Sequence, residues 1–286
     1  MITVFGSANL DLIGQVSRIP SPGETVPGTT FSTAAGGKGA NQALAARRAG
    51  SAVKLVAAVG TDSFADEALA LLKADGVDLT ALRRPDGPTG IAMIFVDAKG
   101  ENVIAILPGA NGTMSVPDAD GALTSLPSGS TVLLQQEVPQ AATRRALEIG
   151  RARGLRTILN TAPFLETTPE VAAMAGIVIA NETEFELLGS KRVQGQTMIV
   201  TLGPDGARAI TDSGEVAVPA LKVTPVDTTG AGDTFCGYLA DGLDRGLALE
   251  DAMRRAAAAG SIACTRAGAQ PSIPYADEVA RSLGSR

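Results

Sequence analysis

No histidine occurs anywhere in the 286 residues. Its absence removes Ser-His-Asp and Cys-His catalysis, histidine metal sites and histidine general bases together. Acid–base chemistry is left to carboxylates, lysine, tyrosine or cysteine. Cysteine is scarce as well. Cys236 and Cys264 are the only two and show no CxxC spacing, so neither a zinc site nor a disulfide framework is expected. Both fall in apolar helical stretches that suit buried structural thiols. Positive charge is in deficit: 24 Lys and Arg against 30 Asp and Glu give a net charge of −6, a poor footprint for nucleic acid. The basic pairs Arg47-Arg48, Arg83-Arg84, Arg144-Arg145 and Arg254-Arg255 are scattered, as on solvated helix faces. No apolar run reaches the length of a membrane span, and the N-terminus opens into an apolar strand without a basic leader. A cytoplasmic enzyme with no nucleic-acid or membrane partner is the expectation.

What is present is a chain with 45% hydrophobic residues and 33 glycines, the composition of a folded α/β protein. Its length suits one large domain with a small appendage. Short β-branched runs at 2–5, 53–59, 132–135, 157–160, 177–180 and 198–202 read as strands. They alternate with helical stretches at 39–50, 62–74, 140–153, 182–188, 231–243 and 249–264, which argues a parallel sheet covered by helices. Asp62 or Ser63 is the expected cap of the second helix. Two β-rich excursions interrupt the alternation. One is irregular, about 10–31; the other is a hairpin, 90–97 and 101–107, turning at Asp97-Ala98-Lys99-Gly100. Together they suggest a small sheet that projects from the main domain.

Two glycine-rich segments carry chemistry. Val226-Asp227-Thr228-Thr229-Gly230-Ala231-Gly232-Asp233-Thr234-Phe235 is a strand end, a small-residue loop and a helix start. Its bare amides and the partial positive charge of a helix N-terminus suit an anion, and Asp233 beside them can accept a proton. Gly36-Gly37-Lys38-Gly39-Ala40-Asn41-Gln42-Ala43 lets a ligand approach the backbone, with Lys38 and Asn41 offering donors and an acceptor. Its spacing is not that of a P-loop; an ordinary loop before a helix is the plain alternative. Asn9 and Asp11 follow the first strand, where such folds bind ligands, or they form an Asx turn. Asn181-Glu182-Thr183-Glu184 reads as a capping box, with Glu184 also placed to face hydrated Mg²⁺. Glu137 is either a ligand group or a solvated strand-end charge. Thr201-Leu202-Gly203-Pro204-Asp205-Gly206 is a strand and turn. A Rossmann fingerprint fails because position 235 is Phe235.

In this order the pieces resemble the PfkB carbohydrate kinase family, and within it the ribokinases. The match covers nearly the whole chain. It takes in Gly6-Ser7-Ala8-Asn9-Leu10-Asp11, the 36–43 run, Gly100-Glu101-Asn102-Val103-Ile104, Gly109-Ala110-Asn111 and Gln136-Glu137. It continues through Asn181 to Glu184, Thr201-Leu202-Gly203, the 227–235 run and Thr265-Arg266-Ala267-Gly268-Ala269-Gln270-Pro271-Ser272. The resemblance implies a ribokinase-like α/β fold: a central, mostly parallel sheet flanked by helices, one domain over 1–286, and a β lid from about 10–33 and 89–107. It implies ATP-dependent phosphorylation of D-ribose at O5. Asn9, Asp11, Gly37, Lys38, Asn41 and Glu137 would hold sugar hydroxyls, with Ala92 and Ile104 of the lid packing on the sugar. Asp233 would be the general base, and the amides of Gly230, Ala231 and Gly232 the anion hole. ATP would meet Asn181, Glu184, Thr201, Gly203, Gly206 and Gly232, with Mg²⁺ held through water at Glu184. A monovalent cation, K⁺, would sit on Asp227, Thr229, Ala263, Arg266, Gly268 and Ser272. A homodimer through the edges of the lid is implied as well.

Three departures from the family pattern stand out. Residues 189–196 are a short link where another helix is usual. Ala256 and Ala257 occupy positions where a polar residue often meets adenine. Ala65 replaces a glycine after Thr61-Asp62. Other acceptors remain open, namely another sugar or a nucleoside, as does a sugar- or nucleotide-sensing protein of this fold without turnover. The intact 230–233 set argues for turnover.

Overall fold

Parallel strands buried on both faces are written as continuous apolar runs rather than as alternating ones, and the sequence between the helices follows that rule. The computed structural model describes residues 1–284. Its strands are β1 (Ile2–Phe5), β2 (Asn9–Val16), β3 (Gly28–Gly36), β4 (Val53–Val56), β5 (Gly90–Val96) and β6 (Asn102–Leu107). They continue with β7 (Thr131–Leu134), β8 (Arg156–Asn160), β9 (Ile177–Asn181), β10 (Thr197–Thr201), β11 (Ala207–Thr211) and β12 (Gly214–Val218). Eight of them form one sheet in the order β12-β11-β10-β9-β8-β7-β1-β4. The six from β10 to β4 run parallel, and β11 and β12 add an antiparallel edge.

Two apolar layers enclose the sheet. Helices Lys38–Ala49, Ala231–Asp244 and Leu249–Ala263 pack on one face, and Val116–Leu123, Gln140–Arg153 and Thr168–Ala172 on the other. No helix among the described residues is long and apolar enough to cross a membrane.

The remaining strands form a separate small sheet in the order β3-β2-β5-β6. Register partners share a face, so the pairings Asp11↔Ala92↔Ile106 and Ile13↔Ile94↔Ile104 put these side chains on one side. Leu12↔Met93 and Phe31↔Gly14↔Phe95↔Val103 lie on the other. Phe31, Met93, Phe95 and Val103 are all exposed there, Phe31 by 70%.

Several boundaries differ from the sequence reading. The helix expected over 62–74 is two short ones, Phe64–Ala68 and Ala70–Ala74, broken at Leu69. Ser63 takes the N-cap position as expected but makes no side-chain cap hydrogen bond, while the Asp62 carboxylate accepts from the Thr89 amide and hydroxyl, at 2.9 and 2.5 Å. The strand read over 53–59 is regular only to Val56, after which Ala58 makes an isolated bridge to Arg83. Cys264 caps the helix before it and is half-buried, whereas Cys236 is buried. The Val116–Leu123 helix went unread despite its Ser115–Asp118 capping box and a proline in its first turn, and so did helix Ala276–Gly284. Residues 189–196 hold no helix, as read.

Candidate active site

Helix Ala231–Asp244 starts at Gly230, which turns the chain with φ 74°. The Ala231 amide donates to the Thr228 carbonyl at 3.2 Å, and among the described residues no acceptor meets the Gly230 or Gly232 amide. Of the three amides read as an anion hole, two are therefore free and one is spent on the turn. Asp233 lies in the first helical turn and is 7% exposed.

One glycine brings a second helix against it. A Cβ added at Gly237 would stand 2.5 Å from the Ala45 Cβ and 2.6 Å from the Gln42 carbonyl oxygen. Helix Lys38–Ala49 therefore approaches closer than any side chain at 237 would permit. Across this contact Asn41 Nδ2 donates to Asp233 Oδ2 at 3.0 Å, and Gln42 Nε2 donates to Oδ1 at 2.8 Å. The Asn41 Oδ1 atom is buried with no donor.

Around this pair the structure gathers the residues read as sugar contacts. Glu137 accepts from the Ser7 hydroxyl and from the Lys38 amide at 3.0 Å, a carboxylate set on a helix start that has no cap of its own. The Asp233 carboxylate raises the Lys38 ammonium above its usual range against the opposing effect of burial, with Glu137 adding to the rise. Asn9 accepts at Oδ1 from Asn111 Nδ2 at 2.7 Å, and Asn111 also bridges both polar backbone groups of Ala8. Asp11 stands apart. No hydrogen bond from the described residues reaches its carboxylate, which fits only because Gly36 has no side chain: a Cβ there would lie 2.4 Å from Oδ2. Burial above all, then the Glu137 and Asp233 charges, push it up to about 7 against the pull of Lys38. Ala92 is its register partner. Ile104 lies further along the same face, 53% exposed.

A cleft of about 580 Å³ opens on the other side of the Gly230 turn. Thr201, Gly203, Gly206 and Gly232, all read as nucleotide contacts, line it with Leu221, Val223, Ala257 and Ser261. The Ser261 hydroxyl is already engaged, accepting from the Leu221 amide and donating to the Ala257 carbonyl. Asn181 and Glu184 lie outside this lining. Asn181 is the register partner of Thr201 at the end of β9, and the capping box is formed: Glu184 Oε2 accepts from the Asn181 amide at 3.0 Å and from the Thr161 hydroxyl at 2.7 Å. Glu184 Oε1 has no hydrogen bond from the described residues and suits a metal-bound water, since Mg²⁺ takes few protein ligands. No group of three acidic or cysteine side chains among the described residues forms a protein-only metal cage.

The residues read as cation ligands come from two adjoining segments. Asp227 Oδ1 accepts from the Thr229 amide and hydroxyl, and Oδ2 from the Gly268 amide at 2.8 Å. Burial opposes, but these bonds hold the carboxyl below its usual range. Ser272 donates to Ala269, the Ala263 carbonyl accepts from the Arg266 amide, and the Arg266 guanidinium pairs with Glu278. Asp227 thereby joins the 227–229 turn to the 268 segment and supplies the one carboxylate of the set read as cation ligands. Gln42, Thr161 and Asn111 join the site without having been singled out for it. Gln42, within the 36–43 run, and Asn111, within Gly109-Ala110-Asn111, lie in segments that carry the resemblance, whereas Thr161 lies in none.

A model described as the pfkB family carbohydrate kinase matches residues 1–276. The deoxyribokinase of Salmonella typhi is 36% identical over 295 residues, covering 97% of this chain and 96% of its own length. Among solved structures, ribokinase from Thermotoga maritima superposes with a TM-score of 0.89 at 32% identity, with 99% of each chain covered. Arabidopsis thaliana ribokinase complexed with ribose and ATP gives 0.86 at 29% identity, covering 99% of this chain and 98% of that one.

The unpartnered Asp11 yields an expectation for the empty protein. Its carboxyl is raised from 3.8 to about 7, so the native state binds its proton more tightly than the unfolded chain. Stability attributable to it is lost as pH rises from about 4 to 7 and stays lost above that. Asp11→Asn is expected to stabilise the ligand-free protein at pH 8 by about 1–3 kcal/mol, a few degrees in Tm. The gap closes toward pH 4. Thermal midpoints from pH 4.5 to 8 measure it, and midpoints that coincide throughout would remove the unpaired-charge account.

Proposed function

The chain belongs to the pfkB family of carbohydrate kinases, an ATP-dependent class, and we propose that it phosphorylates the primary hydroxyl of a pentose, D-ribose at O5 first of all. One juxtaposition carries this reading. The buried, donor-less Asn41 Oδ1 and the unpaired Asp11 wait for hydroxyl hydrogens, beside a carboxylate at a helix start with two free amides.

In this reading Asp11, Asn41 and Glu137 accept from ring hydroxyls, and Lys38 donates. The primary hydroxyl lies against Asp233. As its oxygen forms a bond to the γ-phosphorus, the bond from that phosphorus to the β–γ bridging oxygen breaks, the hydroxyl proton passes to Asp233 and ADP leaves. Charge on the transferring phosphoryl group meets the Gly230 and Gly232 amides and the helix N-terminus, with the Lys38 ammonium nearby. The adenosine lies in the cleft beneath Ala257. Mg²⁺, held through water at Glu184, would neutralise the phosphates. A monovalent cation on the Asp227–Gly268 junction would stiffen the turn that presents the amides. Because a relative 36% identical is a deoxyribokinase, 2-deoxyribose is the second acceptor to weigh. The exposed apolar face of the small sheet, Phe31, Met93, Phe95 and Val103, would be covered by a second copy of the chain.

Four outcomes test this reading. In an ADP-release assay, Asp233→Asn should bind ribose yet turn over at least about 10³-fold more slowly; near-wild-type turnover would sink the base assignment. With the native protein, ribose should give a higher kcat/KM than 2-deoxyribose, and rates in K⁺ should exceed those in Na⁺. Equal rates in the two salts would remove the cation site. Light scattering should give twice the chain mass, falling to one chain mass in Phe95→Glu; a monomeric native protein would refute pairing through the lid.

A further inference from the structure

Gln42 belongs to the glycine-rich run at the sugar side, yet it is fully buried and cannot touch a ligand. Its side chain points instead to Asp233. Nε2 donates to Asp233 Oδ1 at 2.8 Å and directs its second hydrogen toward Asn160 Oδ1 at 3.3 Å. Behind it, Gln42 Oε1 accepts from Gln135 Nε2 at 2.7 Å. Gln135 follows β7, is also fully buried, and its Oε1 has no donor. That oxygen sits against Gly6, where a Cβ would stand 1.9 Å away.

The chain Gln135–Gln42–Asp233 has a direction. A carboxylate only accepts, so Gln42 must turn its NH₂ toward Asp233 and its oxygen toward Gln135. Gln135 must then present its own NH₂, which leaves its oxygen facing Gly6 without a partner. A buried unpaired acceptor is unfavourable, and an apolar residue at 135 would avoid it. The orphaned atom lies at the far end of the chain and every bond is made at the Asp233 end, so the arrangement serves the carboxylate.

We propose that Gln42, held by Gln135, is a positioning residue that fixes the orientation of Asp233 and leaves Oδ2 as the oxygen that takes the proton. This rests on the reading of Asp233 as the general base. Asn41, the donor to Oδ2, also faces the sugar site, so its bond is the one that a bound hydroxyl shares or replaces. The Gln42 bond to Oδ1 is out of the ligand's reach and persists through the reaction. When Oδ2 takes the proton, Oδ1 remains an acceptor, and neither amide has to turn over.

Gln42→Met keeps the length of the side chain and removes all three of its hydrogen bonds. It should lower kcat about 10- to 100-fold while the KM values for sugar and ATP stay within about twofold, the signature of an interaction felt in the transition state rather than in the bound substrate. Gln135→Met, which keeps the Gln42 donor but frees its oxygen, should act in the same direction and less strongly. Circular dichroism and thermal midpoints establish that the variants fold; should Gln42→Met fail to fold, Gln135→Met carries the test. Wild-type kcat in the variant read, with Asp233→Asn inactive in the same assay, overturns the positioning role alone. So does a defect confined to the sugar KM. Turnover by Asp233→Asn would instead remove the base reading, and the role of Gln42 with it.

Discussion

The site depends on one close contact between two helices. Lys38–Ala49 comes from the N-terminal half and carries Lys38, Asn41 and Gln42; Ala231–Asp244 comes from the C-terminal half and carries Asp233 beside the free amides of its first turn. Gly237 lets them touch backbone to side chain, and the amides of Asn41 and Gln42 then reach a carboxylate nearly two hundred residues away in sequence. The far end of the same helix extends the arrangement. Arg48, buried, pairs with Asp75 at 2.6 Å, donates to the Gln270 and Ile273 carbonyls at 2.9 and 2.8 Å, and lies 4.8 Å from the centre of the Tyr275 ring. A buried guanidinium with this many partners is tolerated because its donors are met. It ties the 264–275 segment, with its candidate cation ligands, to the helix whose side-chain amides hold Asp233.

Charge in the cleft is arranged at a cost to the empty protein. Asp11, Glu137 and Asp233 share it with one ammonium, Lys38. Glu137 is held by a hydroxyl and a helix amide, and Asp233 by two side-chain amides and the nearby lysine. Asp11 is buried without a hydrogen bond from the described residues, in the space left by Gly36. Burial, with the Glu137 and Asp233 charges added, raises its carboxyl against the pull of Lys38. Such unmet groups recur where a protein keeps room for a ligand at the expense of its own stability.

The parallel strands were legible because continuous apolar runs have few other uses in a chain of this length, and the 36–43 run falls where β3 meets a helix start; the strand end read at Val226 is absent, since β12 stops at Val218 and only irregular chain leads into helix Ala231–Asp244. The antiparallel β11–β12 edge was not legible. Ala207 and Ala209 are too small to mark a strand by alternation, and only contact with β10 makes them one. Glu184 shows a different limit. Capping and metal-facing chemistry ask for the same residue at the same spacing, and the structure uses Oε2 for the cap while leaving Oε1 open. Gln42 was written inside a recognised run, but nothing local distinguishes it from any helical glutamine. Its partners, Asp233 and Gln135, are brought to it by tertiary packing alone.

The small sheet completes the logic of the cleft through its register. Because paired residues share a face, Asp11, Ala92, Ile94 and Ile104 form a surface with one carboxylate and otherwise apolar groups. The proposed pentose has the matching character, hydroxyls on its edges and C–H bonds on its faces. The other face has no carboxylate and is still exposed, with Phe31 and Phe95 in register across β2. Strand geometry allows no adjustment of one face without the other, since a slip of one residue would exchange them entirely. The bulge between Gln15 and Val16 falls at the outer end of β2, past the paired positions 9–15. The register at Asp11 is thereby kept where the chemistry requires it.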